Sequence, residues 1–248
     1  MELIRVELDG REPTLDELYG PLLANFGHFT ALQVRAGRVR GLDLHLTRLS
    51  AQTRELLGAD LDTGRVRTWL RHALRDVPDA SVRVNVYPGP TVMIFVRPPA
   101  SPPASPLRLR SVPYERPAAH LKHVGGFGQI YFGMRAEAEG FDDALLTDRT
   151  GAVCESAIAN IAFFDGTAVT WPTGPHLPGI EMQLLEPRLP SRRARVDLGG
   201  LGAFRSAFTT NSIGVTAVAR IDDVEFTVDA GLMHRVEREF TAVPWDSI

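Results

Sequence analysis

A chain of 248 residues with 44% hydrophobic and 23% charged residues has the make-up of one large or two small globular domains, which excludes fibrous, disordered and disulfide-stapled miniature classes. Twenty-seven basic against thirty acidic residues leave a formal charge of −3, with no basic surplus to neutralise a phosphate backbone, so nucleic acid is not an expected partner. A single cysteine, Cys154, excludes an internal disulfide, and residues 1–7 lack the basic and apolar regions of a secretory signal; the chain reads as cytoplasmic, with no membrane span.

The chain opens on a strand that turns at Asp9-Gly10. Thr14-Leu15-Asp16-Glu17 then has the spacing of a capping box, in which a Thr hydroxyl and a Glu carboxylate three residues on satisfy the backbone N–H groups that start a helix. Residues 34–39 read as a hairpin about Ala36-Gly37. From Leu42 the positions Leu46, Leu49, Thr53, Leu56 and Leu57 trace a helical stripe, and Gly58 suits its end. A second helix carries Val66, Trp69, Leu70 and Leu74 inward. Two strands, 81–87 and 91–96, follow about Pro88-Gly89-Pro90. Val82, Val84 and Val86 share one face of the first, while Arg83, Asn85 and Tyr87 share the other, a face that is either solvated or lines a polar pocket.

Five prolines in residues 98–106 forbid a helix or a central strand and mark an exposed linker. Beyond it Phe127, Ile130, Tyr131, Met134 and Ala138 trace a helix that stops at Gly140. Residues 144–146, 152–155, 160–164 and 168–171 read as a meander of short strands, with turns at Arg149-Thr150-Gly151 and Asp165-Gly166. One helix starts after Leu177-Pro178-Gly179 and another covers about 230–240. Both halves therefore mix helix and strand, and the second is the larger.

One detail of composition points to chemistry. Of the 27 basic residues 26 are arginine, and the only lysine is Lys122. Arginine serves wherever a generic positive charge is needed, but it does not lose a proton near neutrality to act as an amine nucleophile toward an aldehyde. Composition alone leaves a chance surface lysine as an equal alternative, so the neighbourhood decides. Lys122 lies where the two halves meet in sequence, and ligand sites concentrate at domain junctions.

In a covalent aldehyde cofactor such as pyridoxal phosphate, a lysine forms the Schiff base, a carboxylate pairs with the ring nitrogen, and cationic or backbone donors hold the phosphate. Glu155, at the end of a strand, offers the carboxylate, and Asn160 follows five residues later. Arg48, three residues after His45 on one helix face, offers a guanidinium fork for phosphate. Gly179-Ile180 at a helix start and Thr209-Thr210-Asn211-Ser212 at a turn offer outward backbone N–H groups. Taken singly, an arginine on a helix or a glutamate at a strand end is usually a solvated charge. Cys154 reads as a small packed residue, since nothing nearby serves as its base. The seven histidines show no metal-ligand spacing, so no metal site is expected, and no glycine-rich nucleotide motif occurs.

As an ordered set these residues resemble the class IV pyridoxal-phosphate enzymes, the fold-type IV group of branched-chain aminotransferase, D-amino acid aminotransferase and 4-amino-4-deoxychorismate lyase, over about residues 25–223. His45-Leu46-Thr47-Arg48-Leu49 is similar to the family's H-L-x-R-L, Leu121-Lys122-His123-Val124-Gly125 to its Schiff-base lysine segment, and Asp142-Asp143-Ala144-Leu145 through Gly151 to Glu155 to its acidic motif. Asn160-Ile161-Ala162-Phe163, Leu177-Pro178-Gly179-Ile180 and Thr210-Asn211-Ser212 match the segments that follow. The resemblance implies an α+β, two-domain, D-amino acid aminotransferase-like fold, with a smaller N-terminal α/β domain over 1–113 carrying Arg48. A larger C-terminal α/β pseudo-barrel over 114–248 then carries Lys122 and Glu155. It implies pyridoxal 5'-phosphate as cofactor, Lys122 as catalytic residue, and Arg48, Lys122, Glu155, Asn160, Gly179, Ile180, Thr210 and Asn211 as cofactor-binding residues. It also implies amino acid and 2-oxo acid substrates and a homodimer.

Three departures qualify it. The family continues its phosphate loop with Thr-Arg, where this chain has Glu181-Met182. Some members place a tyrosine five residues after the lysine, and here Phe127 stands there. The segment that carries substrate-carboxylate arginines in relatives is shortened to Tyr87-Pro88-Gly89-Pro90, which leaves Arg83 and Arg97 as substrate-binding candidates. The expected activity is that of an aminotransferase using a Schiff base on Lys122, with 4-amino-4-deoxychorismate lyase as the alternative and an inactive cofactor-binding relative as the third reading.

Overall fold

The computed structural model describes residues 2–248, and its contacts divide the chain into two units. The first comprises Met1–Ala100, Leu121–Gly125 and Pro244–Ile248, the second Ser101–His120 and Gly126–Val243.

The first unit is built on β1 (Arg5–Leu8), α1 (Leu15–Ala24), β2 (His28–Val34), β3 (Arg38–Arg40), α2 (Leu42–Leu57), α3 (Thr63–Ala73), β4 (Ala80–Tyr87) and β5 (Thr91–Arg97). Four of these strands pair antiparallel in the order β1-β5-β4-β2. Alternation puts Val82, Val84, Val86, Ile94 and Val96 on one face, where they pack against Leu42, Leu46 and Leu49 of α2 and Val66 and Leu70 of α3. Each such side chain contributes about 1.5–3 kcal/mol by leaving water. The expected elements stand where the pattern put them. α2 runs between Gly41 and Gly58, both left-handed (φ 67° and 63°), and the Gly58 N–H closes the helix on the Arg54 carbonyl. Glu17 accepts the Thr14 N–H at 2.8 Å to complete the capping box. Ala36 and Gly37 form the hairpin turn with φ 50° and 69°.

The outer edge of β2 would expose unpaired backbone groups, and residues 121–125 cover one end of it. Phe29 N–H donates to the Lys122 carbonyl at 2.8 Å and Val124 N–H to the Gly27 carbonyl at 2.9 Å. Lys122, read from sequence as part of a domain over 114–248, thus makes its backbone contacts in the first unit. The C-terminal strand Trp245–Ser247 pairs with β3.

The second unit follows from β6 (Leu107–Val112), α4 (Phe127–Ala138), β7 (Asp143–Thr147), β8 (Val153–Ser156), β9 (Asn160–Phe164), β10 (Val169–Pro172), α5 (Ile180–Leu185), β11 (Ser191–Ala194), β12 (Ser206–Asn211), β13 (Gly214–Ile221), β14 (Val224–Glu225) and α6 (Ala230–Thr241). Its sheet has the order β11-β10-β9-β12-β13-β6-β7-β8, with β14 on β13. The sheet curls: β8 pairs with β7 at one end, and a tight turn, with Ser156 N–H on the Ala159 carbonyl, carries the chain from β8 straight into β9. Ile161 and Phe163 face one core with Leu109, Val153 and Val218, while Ala162 and Phe164 face another with Trp171, Leu185 and Val236. A strand buried on both sides shows a continuous apolar run, which is what 160–164 displays.

The stripe on α4 points the other way from a core stripe. Phe127 is 79% exposed, and Ile130 and Met134 are exposed with it. The face that packs inward is made by Gly128 and Ala136, because the Tyr114 ring occupies the space a Cβ on Gly128 would need, 2.2 Å from its Cζ. Among the described residues no helix is long and apolar enough to cross a membrane.

Candidate active site

In the first unit the chemistry gathers at one end of α2. Thr30 of β2 faces that helix, and its hydroxyl bonds His45 Nδ1 at 2.6 Å and receives Nη2 of Arg48. The i+3 spacing of His45 and Arg48 therefore brings both to a single oxygen, as the helical period requires. Arg48 Nε is buried and has no hydrogen-bond partner, and no carboxylate among the described residues pairs with the guanidinium. Burial pulls the Arg48 pKa down to about 10. His28, wholly buried with Nε2 2.9 Å from Thr53 Oγ1, is pushed down to about 4 by burial and then by Arg48. His45 is held well below its ordinary value by burial, then by the charges of Arg48 and Lys122. Both imidazoles are neutral at pH 7, so neither adds to the positive charge of Arg48 and Lys122.

Lys122 is fixed through its backbone. Its N–H donates to Gln52 Oε1 of α2 at 3.1 Å, and its carbonyl accepts from Phe29. Its Nζ lies 4.8 Å from the centre of the Phe29 ring, and the Arg83 guanidinium carbon lies 3.5 Å from that same centre. Register explains the meeting: Phe29 pairs with Asn85 and Ala31 with Arg83, so the polar face of β4 continues onto β2 beside the lysine. That face is not solvated. Arg83 Nε donates to Asn85 Oδ1 at 2.8 Å, Asn85 Nδ2 to the Tyr87 hydroxyl at 2.6 Å, and Asn85 and Tyr87 are buried. Burial lowers the Arg83 pKa, and the charge of Arg97 lowers it further.

In the second unit Glu155 is 5% exposed, against the usual fate of a carboxylate at a strand end. Its Oε1 receives Nη1 of Arg116 at 3.0 Å, and its Oε2 receives the Leu177 N–H at 3.2 Å. The Leu177 carbonyl accepts Asn160 Nδ2 at 2.8 Å, so one residue is gripped on both sides by Glu155 and Asn160. Gly179 follows close by: a Cβ there would fall 2.1 Å from Asn160 Oδ1. Ile180 then begins α5, with Glu181 buried in its first turn.

Two features differ from the sequence reading. Thr209 and Thr210 lie within β12, paired to β9 and β13, and not at a turn; their backbone groups belong to the sheet ladder. The turn starts at Asn211, whose Oδ1 accepts the Ile213 N–H at 2.9 Å. Glu181, awkward next to an anion, has its carboxylate engaged by the Thr210 hydroxyl at 3.0 Å. Arg116 was not singled out in sequence at all. It stands six residues before Lys122, and nothing local distinguishes it from the other arginines. Cys154 is buried, and burial with the nearby Asp148, Glu115 and Glu155 pushes its thiol up to about 12, as suits a packed residue.

The family model for amino-transferase class IV matches residues 27–221. The chain belongs to the class IV aminotransferases. That family uses pyridoxal phosphate. Solved structures agree on the fold-type IV architecture. A branched-chain aminotransferase from Thermoproteus uzoniensis, with norvaline, superposes at TM-score 0.84 with 20% identity, over 96% of this chain and 94% of that one. A putative 4-amino-4-deoxychorismate lyase from Legionella pneumophila gives 0.81 and 20% over 95% and 97%. A hypothetical aminotransferase from Mycobacterium tuberculosis in its PLP-bound form gives 0.81 and 18% over 96% and 98%. No curated protein sequence matches the chain.

Proposed function

We propose that this class IV chain is an aminotransferase that moves an amino group between an amino acid and a 2-oxo acid, with pyridoxal phosphate held on Lys122. The observation that carries the reading is the placement of the only lysine beside a buried, acid-free arginine, both acting on His45. The residues fit the cofactor. An uncompensated guanidinium with a buried, unbonded Nε suits a phosphate, and a buried carboxylate suits a ring nitrogen that carries a proton.

Bound pyridoxal phosphate supplies an aldehyde that captures amines and a ring that accepts electrons from the carbon beside the captured nitrogen. Arg48 would hold the phosphate, a group to which the resemblance also assigns Gly179, Ile180, Thr210 and Asn211. Glu155 would pair with the ring nitrogen and favour its protonated form. Asn160 serves by fixing Leu177 and the glycine behind it. Lys122 would hold the aldehyde of the cofactor, and its amine would serve as the base and acid that moves the proton of the substrate carbon. His28 and His45, neutral at pH 7, shape the cation pocket without adding charge. Arg83, without an acidic partner and on the same aromatic ring as Lys122, is the favoured ligand for the substrate carboxylate, with Arg97 behind it as a second positive charge. The homodimer that the resemblance implies is supported by the outward apolar stripe of α4.

The lyase reading is kept because the putative lyase matches as well in identity, 20%, as the branched-chain enzyme does. The test begins with borohydride reduction of chain given pyridoxal phosphate and mapping of the added mass. Label on Lys122, absent in Lys122→Ala, supports the cofactor assignment; label scattered or missing defeats it. Amino transfer from a panel of amino acids to 2-oxo acids then supports the transaminase, whereas pyruvate released from aminodeoxychorismate with no acceptor shows the lyase.

A further inference from the structure

Glu155 and Arg116 are buried together, their side chains 6% and 4% exposed. A carboxylate taken out of water alone loses its hydration and recovers nothing, so its burial depends on a partner. Arg116 Nη1 lies 3.0 Å from Oε1 and also donates to the Ala119 carbonyl at 2.9 Å, which anchors the guanidinium where it stands. The Leu177 N–H takes Oε2 at 3.2 Å. Two donors from different segments, one on each oxygen, set the plane of the carboxyl group and leave each oxygen a lone pair.

We propose that Arg116 is a positioning residue of this enzyme: it holds Glu155 as an oriented anion, so that the proton shared with the cofactor's ring nitrogen stays on the nitrogen. The proposal rests on the cofactor reading above and adds to it a residue whose only hold on the ring is through Glu155. Without the guanidinium the buried carboxylate keeps its place only by taking up a proton itself. The ring nitrogen then loses that proton, and the site loses its pull on the substrate's electrons. Lysine at 116 restores the charge, whereas methionine restores only bulk.

The experiment binds pyridoxal phosphate carrying nitrogen-15 in its ring to wild type, R116K and R116M, and reads the ring nitrogen by NMR, with kcat and KM measured alongside. The expected result is a protonated ring nitrogen in wild type and R116K and a neutral one in R116M, whose kcat falls by about tenfold or more with KM little changed. If R116M does not fold, R116Q, which keeps a hydrogen-bond donor but no charge, takes its place: a neutral ring nitrogen in folded R116Q supports the role, and a protonated one overturns it. An R116M nitrogen that stays protonated also overturns it. A wild type that takes up no cofactor on Lys122 refutes the functional reading instead, which keeps the two failures apart.

Discussion

Asp143 gives the sharpest test of the electrostatics. It opens β7 and packs beneath α4, where a Cβ on Gly133 would come within 3.5 Å of its Oδ1. Burial, with a smaller push from Glu137, raises its pKa from 3.8 to about 6, although the Ala144 N–H, the Ser156 hydroxyl and the Ile158 N–H act against the rise. A carboxyl raised on folding binds its proton more tightly in the folded chain. Its stabilising contribution is therefore complete below about pH 4 and is lost as the pH climbs through about 6. A rise of this size corresponds to about 3 kcal/mol at the limit, and to about 2 kcal/mol once partial exposure is allowed for. Asp143→Asn cannot titrate. Urea unfolding of wild type and Asp143→Asn from pH 4 to pH 8 is expected to show the difference between them moving by about 2–3 kcal/mol in favour of the variant, mostly between pH 4.5 and 6.5. Other groups titrate equally in both chains and cancel. A difference that stays flat within about 0.5 kcal/mol over that range means that Asp143 is not desolvated, and the account of this corner is then wrong.

Arg48→Met removes the guanidinium proposed to hold the cofactor phosphate, and cofactor affinity measured by fluorescence titration should fall by about 10- to 100-fold, the worth of one charge-assisted hydrogen bond; an unchanged affinity places the phosphate elsewhere. Gly179→Ala drives a methyl into Asn160 Oδ1, so the Asn160 amide has to shift and its bond to Leu177 is strained. The expected outcome is a loss of about 1–3 kcal/mol in urea with weaker cofactor binding, and full retention of both contradicts the clamp on that loop. Leu49→Ala, at a position wholly sealed by β2 and β4, should lose about 2–5 kcal/mol in the same assay while leaving the lysine-dependent cofactor spectrum intact.

Much of the local structure and one chemical candidate were legible in the amino-acid sequence. Glycines bracket α2, the Thr14–Glu17 spacing starts α1, and Ala36-Gly37 turns a hairpin, because each is a property of a few consecutive residues and their backbone limits. A lone lysine among arginines singles out a candidate for amine chemistry for the same reason: the distinction lies in the side chain itself. Other features depended on what packs against what. The pattern of α4 records that one side is apolar, not that the opposite side meets the core; Tyr114 against Gly128 decides that. The threonines at 209 and 210 look like turn residues until β9 and β13 claim their backbone groups. Residues 121–125 take their place in the first unit because β2 has an open edge to fill, which no feature of their own composition reveals. The pairing of Arg116 with Glu155 joins charges 39 residues apart. Only the folded chain brings them to 3.0 Å, since an ion pair that exists to offset burial has no meaning until there is an interior to be buried in.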